Sequence, residues 1–278
     1  IISSRFGDTI KAALSDLFSC DFDLLILAGD EINDYESKKK DENSLPEMAG
    51  YTFDRFIVGN SNRFAHAAAI AVAENPGKAY NPLFIYGNSG LGKTHLLLSI
   101  GQAIHDRDPS KKIAYVKGDE FTIQLVKAIK DGTAEDFRTK YRNVDLFLVD
   151  DIQFIAGKES TQEEFFHTFN KLYEEHKQIV MTSDRKPSDM LTLEDRLRTR
   201  FEWGLLADVQ PPDYETRMAI LKNKAKSLGV ELPDDVCNYI AVNVTNNVRQ
   251  IEGIVKKLLA YRDLDNICLL YTSPSPRD

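Results

Sequence analysis

The sequence predicts an α/β protein: a five-stranded parallel sheet covered by helices on both faces, followed by a small all-helical lid subdomain. Three observations predict it. From Tyr51 onward, five short apolar runs alternate with longer amphipathic stretches. Strands that alternate with helices in this way pair in parallel, with the helices as crossovers. The first run feeds a glycine-rich turn that opens directly into a helical pattern. After Pro211-Pro212 the strand-like runs stop, and three helical patterns follow.

Residues 1–32 read as ordered. Ile10, Leu14, Leu17 and Phe18 recur at helical spacing, and residues 23–27 form a short apolar run. About thirty residues are too few to bury a core alone, and the chain opens at Ile1-Ile2 without an initiator Met. The expectation is the end of a truncated small domain. Residues 33–50 include Lys38-Lys39-Lys40-Asp41-Glu42, lack apolar periodicity and read as a flexible linker.

The α/β subdomain is expected over 51–210. Its strands are predicted at 82–86, 113–116, 145–149, 178–182 and 205–209. The helices between and around them are predicted at 61–73, 93–105, 120–130, 161–176 and 193–200. The lid is expected over 211–263, with helices at 214–228, 234–243 and 247–262. Asp213 and Asp234 stand where helix N-caps are expected. The last segment, 264–278, carries Ser273-Pro274-Ser275-Pro276, which cannot continue a helix. It reads as a non-native remnant or an unstructured tail.

The net charge is −8, which argues against a surface coated in basic residues for duplex DNA. The charge is uneven. Residues 1–50 carry 5 Lys+Arg against 11 Asp+Glu, a net −6, so the rest of the chain nets only −2. A local basic patch there can still grip phosphates. No apolar run reaches the ~18 residues of a membrane-spanning helix, and the first residues lack the pattern of a signal peptide. Cys20, Cys237 and Cys268 lie far apart without metal-ligand spacing. They read as reduced thiols of a cytosolic protein.

Gly87-Asn88-Ser89-Gly90-Leu91-Gly92-Lys93-Thr94 fits G-x-x-x-x-G-K-[ST] between a predicted strand and a predicted helix. Glycines let the backbone curl so that successive N–H groups face a phosphate chain, and the helix N-terminus adds its positive end. Lys93 is placed to reach the β- and γ-phosphates, and the Thr94 hydroxyl to bind Mg²⁺. The bland alternative, a glycine-rich turn, does not call for Lys-Thr at this point.

Leu146-Phe147-Leu148-Val149-Asp150-Asp151 is the matching second motif. Its apolar strand ends in carboxylates at the sheet edge where ligands of such sheets bind. Asp150 is assigned to Mg²⁺ and Asp151 to the attacking water; two solvated acids at a strand end are the alternative. Met181-Thr182-Ser183-Asp184 closes another strand at the same edge. Its polar residues, Asp184 above all, are read as sensing the γ-phosphate or positioning the water, with a helix N-cap as the alternative.

Several longer stretches are distinctive. They are Asp150-Asp151-Ile152-Gln153-Phe154, Gln162-Glu163-Glu164-Phe165-Phe166-His167-Thr168-Phe169-Asn170, and Leu193-Glu194-Asp195-Arg196-Leu197-Arg198-Thr199-Arg200-Phe201-Glu202-Trp203-Gly204-Leu205. With Phe53-Asp54-Arg55-Phe56-Ile57-Val58-Gly59-Asn60 they resemble the bacterial chromosomal replication initiators of the DnaA family, from about Tyr51 to Arg262. The resemblance implies an AAA+ P-loop NTPase with ATP or ADP and Mg²⁺ as cofactors. It implies ATP-dependent self-assembly on an origin, with slow hydrolysis as the off-step. Residues 1–32 resemble the end of the family's N-terminal interaction domain, which implies the replicative helicase as a partner. Duplex origin boxes are implied for a C-terminal domain that this sequence does not include, and acidic phospholipids are possible partners in the family.

Residue by residue, the resemblance implies that Arg200 reaches the γ-phosphate of a neighbouring protomer and that Arg196 serves assembly. It implies that Arg249 senses ATP within its own protomer, and that Phe56, Ile57, Val58 and Asn60 wrap the adenine. Thr122 and Lys158 match positions that grip single-stranded DNA, although Ser160 stands where some members carry a further arginine. The alternatives are a salt-bridged helix end for Arg196 and Arg200, a surface arginine for Arg249, core packing for 56–60 and a solvated loop for Lys158. Competing classes are a non-hydrolysing regulatory paralogue, a helicase loader and a nucleotide-binding scaffold.

Overall fold

The structure is a computed structural model that describes residues 48–245 and 247–265, with the side chains of Ala49 and of 261–265 not described. The expectations for residues 1–32, for the linker up to 47 and for the tail beyond 265 lie outside the described residues. Met48–Gly50, assigned to the linker above, form one 3-10 turn. Met48 is buried and would meet a Cβ placed on Gly101, so the ordered chain begins before Tyr51.

Five strands form one parallel sheet in the order β2-β3-β4-β1-β5. They are β1 Leu83–Tyr86, β2 Ile113–Lys117, β3 Leu146–Asp150, β4 Gln178–Ser183 and β5 Leu205–Asp208. The helices of this layer are α1 Arg63–Glu74, α2 Lys93–Arg107, α3 Gly118–Lys130, α4 Ala134–Arg142, α5 Glu159–Glu174 and α6 Asp195–Phe201. The predicted doubly covered parallel sheet is therefore present, with β3 and β4 buried along their full length.

Side-chain alternation along each strand divides the core into two layers. Phe84, Phe147, Val149 and Met181 point to the face covered by α3, α4, α5 and α6, where Phe121, Tyr141, Phe165 and Phe201 pack. Leu83, Ile85, Leu148 and Val180 point to the opposite face, covered by α1 and α2 through Ala69, Leu97 and Ile100. Buried on both sides, the central strands read as continuous apolar runs.

Helix α4 is an addition to the sequence reading. It has nine residues and buries only Phe137 and Tyr141, one turn apart. Two apolar positions among charges give too little periodicity to register as a helix. It is held from outside by Arg138 and Arg142, which both bind Glu164 of α5.

Three further helices follow: α7 Tyr214–Ser227, α8 Asp234–Asn243 and α9 Val248–Asp265. They share a separate core of Leu221, Ala225, Ile240, Ala241, Ile251 and Val255. Asp213 caps α7 as expected, its carboxylate accepting the N–H of Thr216 at 2.8 Å. Asp234 does not cap α8. The helix begins at Asp234 itself, Pro233 holds the N-cap position, and the Asp234 carboxylate pairs with Lys222 at 2.7 Å. Proline's fixed φ suits a helix start, which moves the acid inside the first turn.

Parallel register brings Lys117, Asp150, Ser183, Tyr86 and Asp208 to the C-terminal end of the sheet. Ligands of open α/β sheets bind at that edge.

Candidate nucleotide-binding site

The turn between β1 and α2 needs its glycines for steric reasons. Gly87 has φ +149°, and a Cβ there would lie 2.2 Å from the Val209 carbonyl oxygen. Gly92 has φ +97°, and a Cβ would lie 2.9 Å from the Phe56 ring. The turn thus adopts backbone that side chains resist while Phe56 rests against its last glycine.

Lys93 opens α2 and is buried. Its ammonium donates to the carbonyls of Gly87 at 2.7 Å and Asn88 at 2.9 Å. Burial pushes its pKa below the ordinary lysine value, and the nearby Arg249 charge adds to this. Asp151, Asp150 and Asp184 act in the opposite direction. Thr94, the next residue, donates its hydroxyl to Asp150 at 2.9 Å.

Asp150 ends β3 and is 3% exposed. Besides Thr94 it accepts the hydroxyl of Thr182 from β4 and, more distantly, that of Tyr115 from β2 at 3.4 Å. Burial raises its pKa above the ordinary carboxylate value, with the Asp151 charge adding to the effect. The hydrogen bonds from Thr182 and Thr94 oppose it. Burial, first, and the adjacent Asp150 likewise raise the Tyr115 phenol, which stays neutral.

Asp151 takes the left-handed conformation, φ +52°, which ends the strand direction. It lines the main cleft, whereas Asp150 does not. Gln153 ties two predicted residues together: its amide donates to Asp151 at 3.2 Å, and its oxygen accepts the Asp184 N–H at 3.3 Å. The Asp184 carboxylate is held by Arg185 at 2.8 Å, which lowers its pKa. No helix starts at Asp184. The next element is the 3-10 turn Pro187–Asp189 with Lys186 at its N-cap position, so the helix-cap alternative does not apply.

Lys93, Thr94 and Asp151 border a cleft of ≈1130 Å³. Ser89, Gly90, Leu91, Gly92, Lys93 and Thr94 form its floor, while Phe56 and Ile57 line it as the adenine reading expects. Val58 and Asn60 do not reach it. They line a separate depression of ≈360 Å³ beside Asp213 and Thr216. Asn62 explains the split, because it clamps the loop by accepting the Gly59 N–H at 2.9 Å and donating to the Ile57 carbonyl at 3.0 Å.

The helical lid closes the other side. The Val248 N–H donates to the Gly90 carbonyl at 3.1 Å, which seats α9 on the phosphate turn. Arg249 lines the cleft, while Ile251 and Val255 of the same helix are buried in the lid core. Arg196 and Arg200 do not line this cleft. They lie on α6 against the Phe166 ring, 4.4 and 4.1 Å from its centre. Thr122 and Lys158, 36 residues apart in sequence, meet at 3.4 Å.

The bacterial DnaA ATPase-domain model matches residues 48–208, more than half of the chain. The chain belongs to the bacterial DnaA family. It is an AAA+ P-loop ATPase module, and its fold matches that of solved DnaA structures. Domain III of the Thermotoga maritima DnaA replication initiation protein is 46% identical with a TM-score of 0.76, over 79% of this chain and 92% of that one. A DnaA bound to AMPPCP and single-stranded DNA is 44% identical with a TM-score of 0.71, over 78% of this chain and 66% of that one. AMPPCP-bound DnaA from Aquifex aeolicus is 44% identical with a TM-score of 0.71, over 76% and 65%. The chain thus spans about two thirds of the length of those two longer DnaA chains.

Mg²⁺ is the metal implied for such modules, and the residues fit it. Thr94 and Asp150 present hard oxygen donors at one point. Mg²⁺ typically takes one or two protein oxygens and completes its shell with phosphates and water. Among the described residues no helix is long and apolar enough to cross a membrane.

Sequence reasoning gave no role to Tyr115, Gln153 or Asn62, and read Thr182 only as part of the polar strand end 182–184. Thr182 had a usable signal, a polar residue one step before the end of a buried strand. Tyr115 and Asn62 had none, because their partners lie in other segments or depend on the loop's shape.

Proposed function

We propose that this chain binds ATP with Mg²⁺ and forms the nucleotide-controlled core of a replication initiator. In this reading it assembles with neighbouring protomers on an origin and helps open the duplex, and hydrolysis to ADP switches it off. One observation carries the reading: Lys93, Thr94 and Asp151 line one cleft, Asp150 accepts the Thr94 hydroxyl, and Arg249 lines the cleft from the lid. Bound Mg²⁺ would supply positive charge to the phosphate oxygens. Lys93 would exchange its grip on two loop carbonyls for the β- and γ-phosphates. Asp151, steadied by Gln153, orients and polarises the attacking water. Asp184 and Arg249 register the γ-phosphate within the protomer.

Arg200 would reach the γ-phosphate of a neighbour and Arg196 would support the same contact. That makes assembly depend on ATP rather than ADP. Thr122 and Lys158, 3.4 Å apart, would hold a single-stranded DNA phosphate; the DnaA solved with single-stranded DNA supports that class of partner. Reading of duplex origin boxes, contact with the replicative helicase, any contact with acidic phospholipids and a cytoplasmic location belong to the whole protein in this proposal.

Sedimentation velocity tests the reading. With ATP and oligo-dT the chain is expected to form assemblies that are absent with ADP and absent for Arg200→Ala with ATP. Identical sedimentation under all three conditions rejects it.

A further inference from the structure

Arg200 differs from the other arginines around it in the kind of partner it has. Arg185 pairs with Asp184 at 2.8 Å, Arg196 with Glu194 and Arg198 with Asp195. Arg200 pairs with no carboxylate among the described residues. Its Nε donates to the side-chain oxygen of Asn170, and its Nη1 donates to the Arg196 carbonyl at 3.1 Å. Its guanidinium lies 4.1 Å from the centre of the Phe166 ring and 5.0 Å from that of Trp203. All of these partners are neutral.

Two elements build the arrangement. Phe166 and Asn170 stand one turn apart on α5, opposite Arg196 and Arg200, which stand one turn apart on α6. Trp203 follows the end of α6 and leans on Tyr173, with ring centres 5.2 Å apart. Trp203 is 50% exposed, so the site lies at the surface.

Neutral partners and charged ones do different things to an arginine. A carboxylate fixes the group but also cancels its charge toward any third party. Aromatic faces and amide oxygens fix it through cation–π contact and hydrogen bonds and leave the charge intact. The bonds from Nε and Nη1 hold the guanidinium from two sides. Nη2 and the second N–H of Nη1 have no acceptor among the described residues. These free N–H groups are donors for the oxygens of a phosphate.

We propose that Phe166, Asn170 and Trp203 are positioning residues that hold Arg200 extended and uncompensated for the terminal phosphate of a nucleotide bound by a second copy of this chain. The inference rests on the trans role of Arg200 proposed above and adds the residues that make it effective. It also assigns Asn170 a reason to be an amide: an acid of the same shape there would claim the free charge.

The test uses the full chain and measures the protein concentration at half-assembly with ATP and oligo-dT. Binding of ATP within the protomer and the thermal unfolding midpoint are measured on the same samples. Asn170→Asp is expected to raise the half-assembly concentration by about tenfold or more, with ATP binding and midpoint unchanged. Trp203→Leu is expected to do likewise, and Trp203→Phe, which keeps an aromatic face, to restore assembly. In an Arg200→Ala background none of these changes should have a further effect. If Arg200→Ala weakens assembly while Asn170→Asp and Trp203→Leu assemble like the parent, the positioning role is overturned and the trans role of Arg200 stands. If Arg200→Ala itself assembles like the parent, both fall. Should Asn170→Asp lower the midpoint, the Trp203→Leu and Trp203→Phe pair decides.

Discussion

The Thr182 hydroxyl donates to the buried carboxylate of Asp150 while accepting the backbone N–H of Asp151 at 2.9 Å. One side chain from β4 thereby fixes both acids at the end of β3. Thr182→Val keeps the shape but leaves a buried carboxylate short of a donor and an N–H unpaired. The expected loss is about 1–3 kcal/mol of stability, read from urea unfolding, together with slower ATP turnover. Thr182→Ser should recover most of both. Full turnover in Thr182→Val would show that this joint does not serve the chemistry.

Asp150 gives a pH prediction. Burial, first, and the Asp151 charge raise its pKa above the ordinary carboxylate value. The folded chain therefore keeps this proton to higher pH than the unfolded chain does. Between those two values the native state binds more protons, so this group's contribution to stability falls as pH rises. At neutral pH the ionised acid costs the ligand-free fold stability. Asp150→Asn should melt at a higher temperature than the parent at neutral pH, and the gap should close as pH falls toward the unfolded value. Magnesium with ATP should raise the parent's midpoint but not the variant's. Calorimetry across that pH range checks both statements.

Lys93 is buried and its charged form is disfavoured by desolvation. Removing it should leave stability close to unchanged while nucleotide binding collapses. For Lys93→Ala the expected loss of ATP affinity is about a hundredfold, from a lost charge-assisted contact of some 3 kcal/mol. Isothermal titration calorimetry reads this directly, and unchanged affinity would remove Lys93 from the phosphate site.

Phe201 ends α6 and is fully buried. Its ring sits 5.7 Å from Phe84 and 5.9 Å from Phe165. Phe201→Ala is expected to cost about 3–5 kcal/mol through the cavity it leaves, with Phe201→Leu much milder. Because α6 also carries Arg200, the alanine variant should lose assembly at denaturant concentrations that leave the parent assembled. Equilibrium unfolding gives the first quantity and sedimentation in dilute urea the second.

The parts of the site that lie within one stretch of chain were legible in the sequence. Gly87 to Thr94 is contiguous, and its chemistry follows from residue order: glycines where the backbone must turn left-handed, then Lys and Thr at a helix start. The pair Asp150-Asp151 ends an apolar strand, and the ends of buried strands in alternating α/β patterns collect at one edge. All five strands and most helices were readable for the same reason, since periodicity is a local property. Helix α4 was not, because its two core contacts give almost no period of their own.

The sequence by itself determined the order of elements, the phosphate turn and the acids of the sheet edge. The tertiary structure alone decided which strand lies beside which, and so put Thr182 and Tyr115 on Asp150. It also divided the stretch 56–60 between two cavities, turned Asp234 from a helix cap into a partner of Lys222, and gave Arg200 aromatic and amide neighbours in place of an acid. Each of these depends on side chains brought together from distant segments by burial of the two core layers. Burial favours close packing of apolar area but does not encode which polar atoms will meet at its margins.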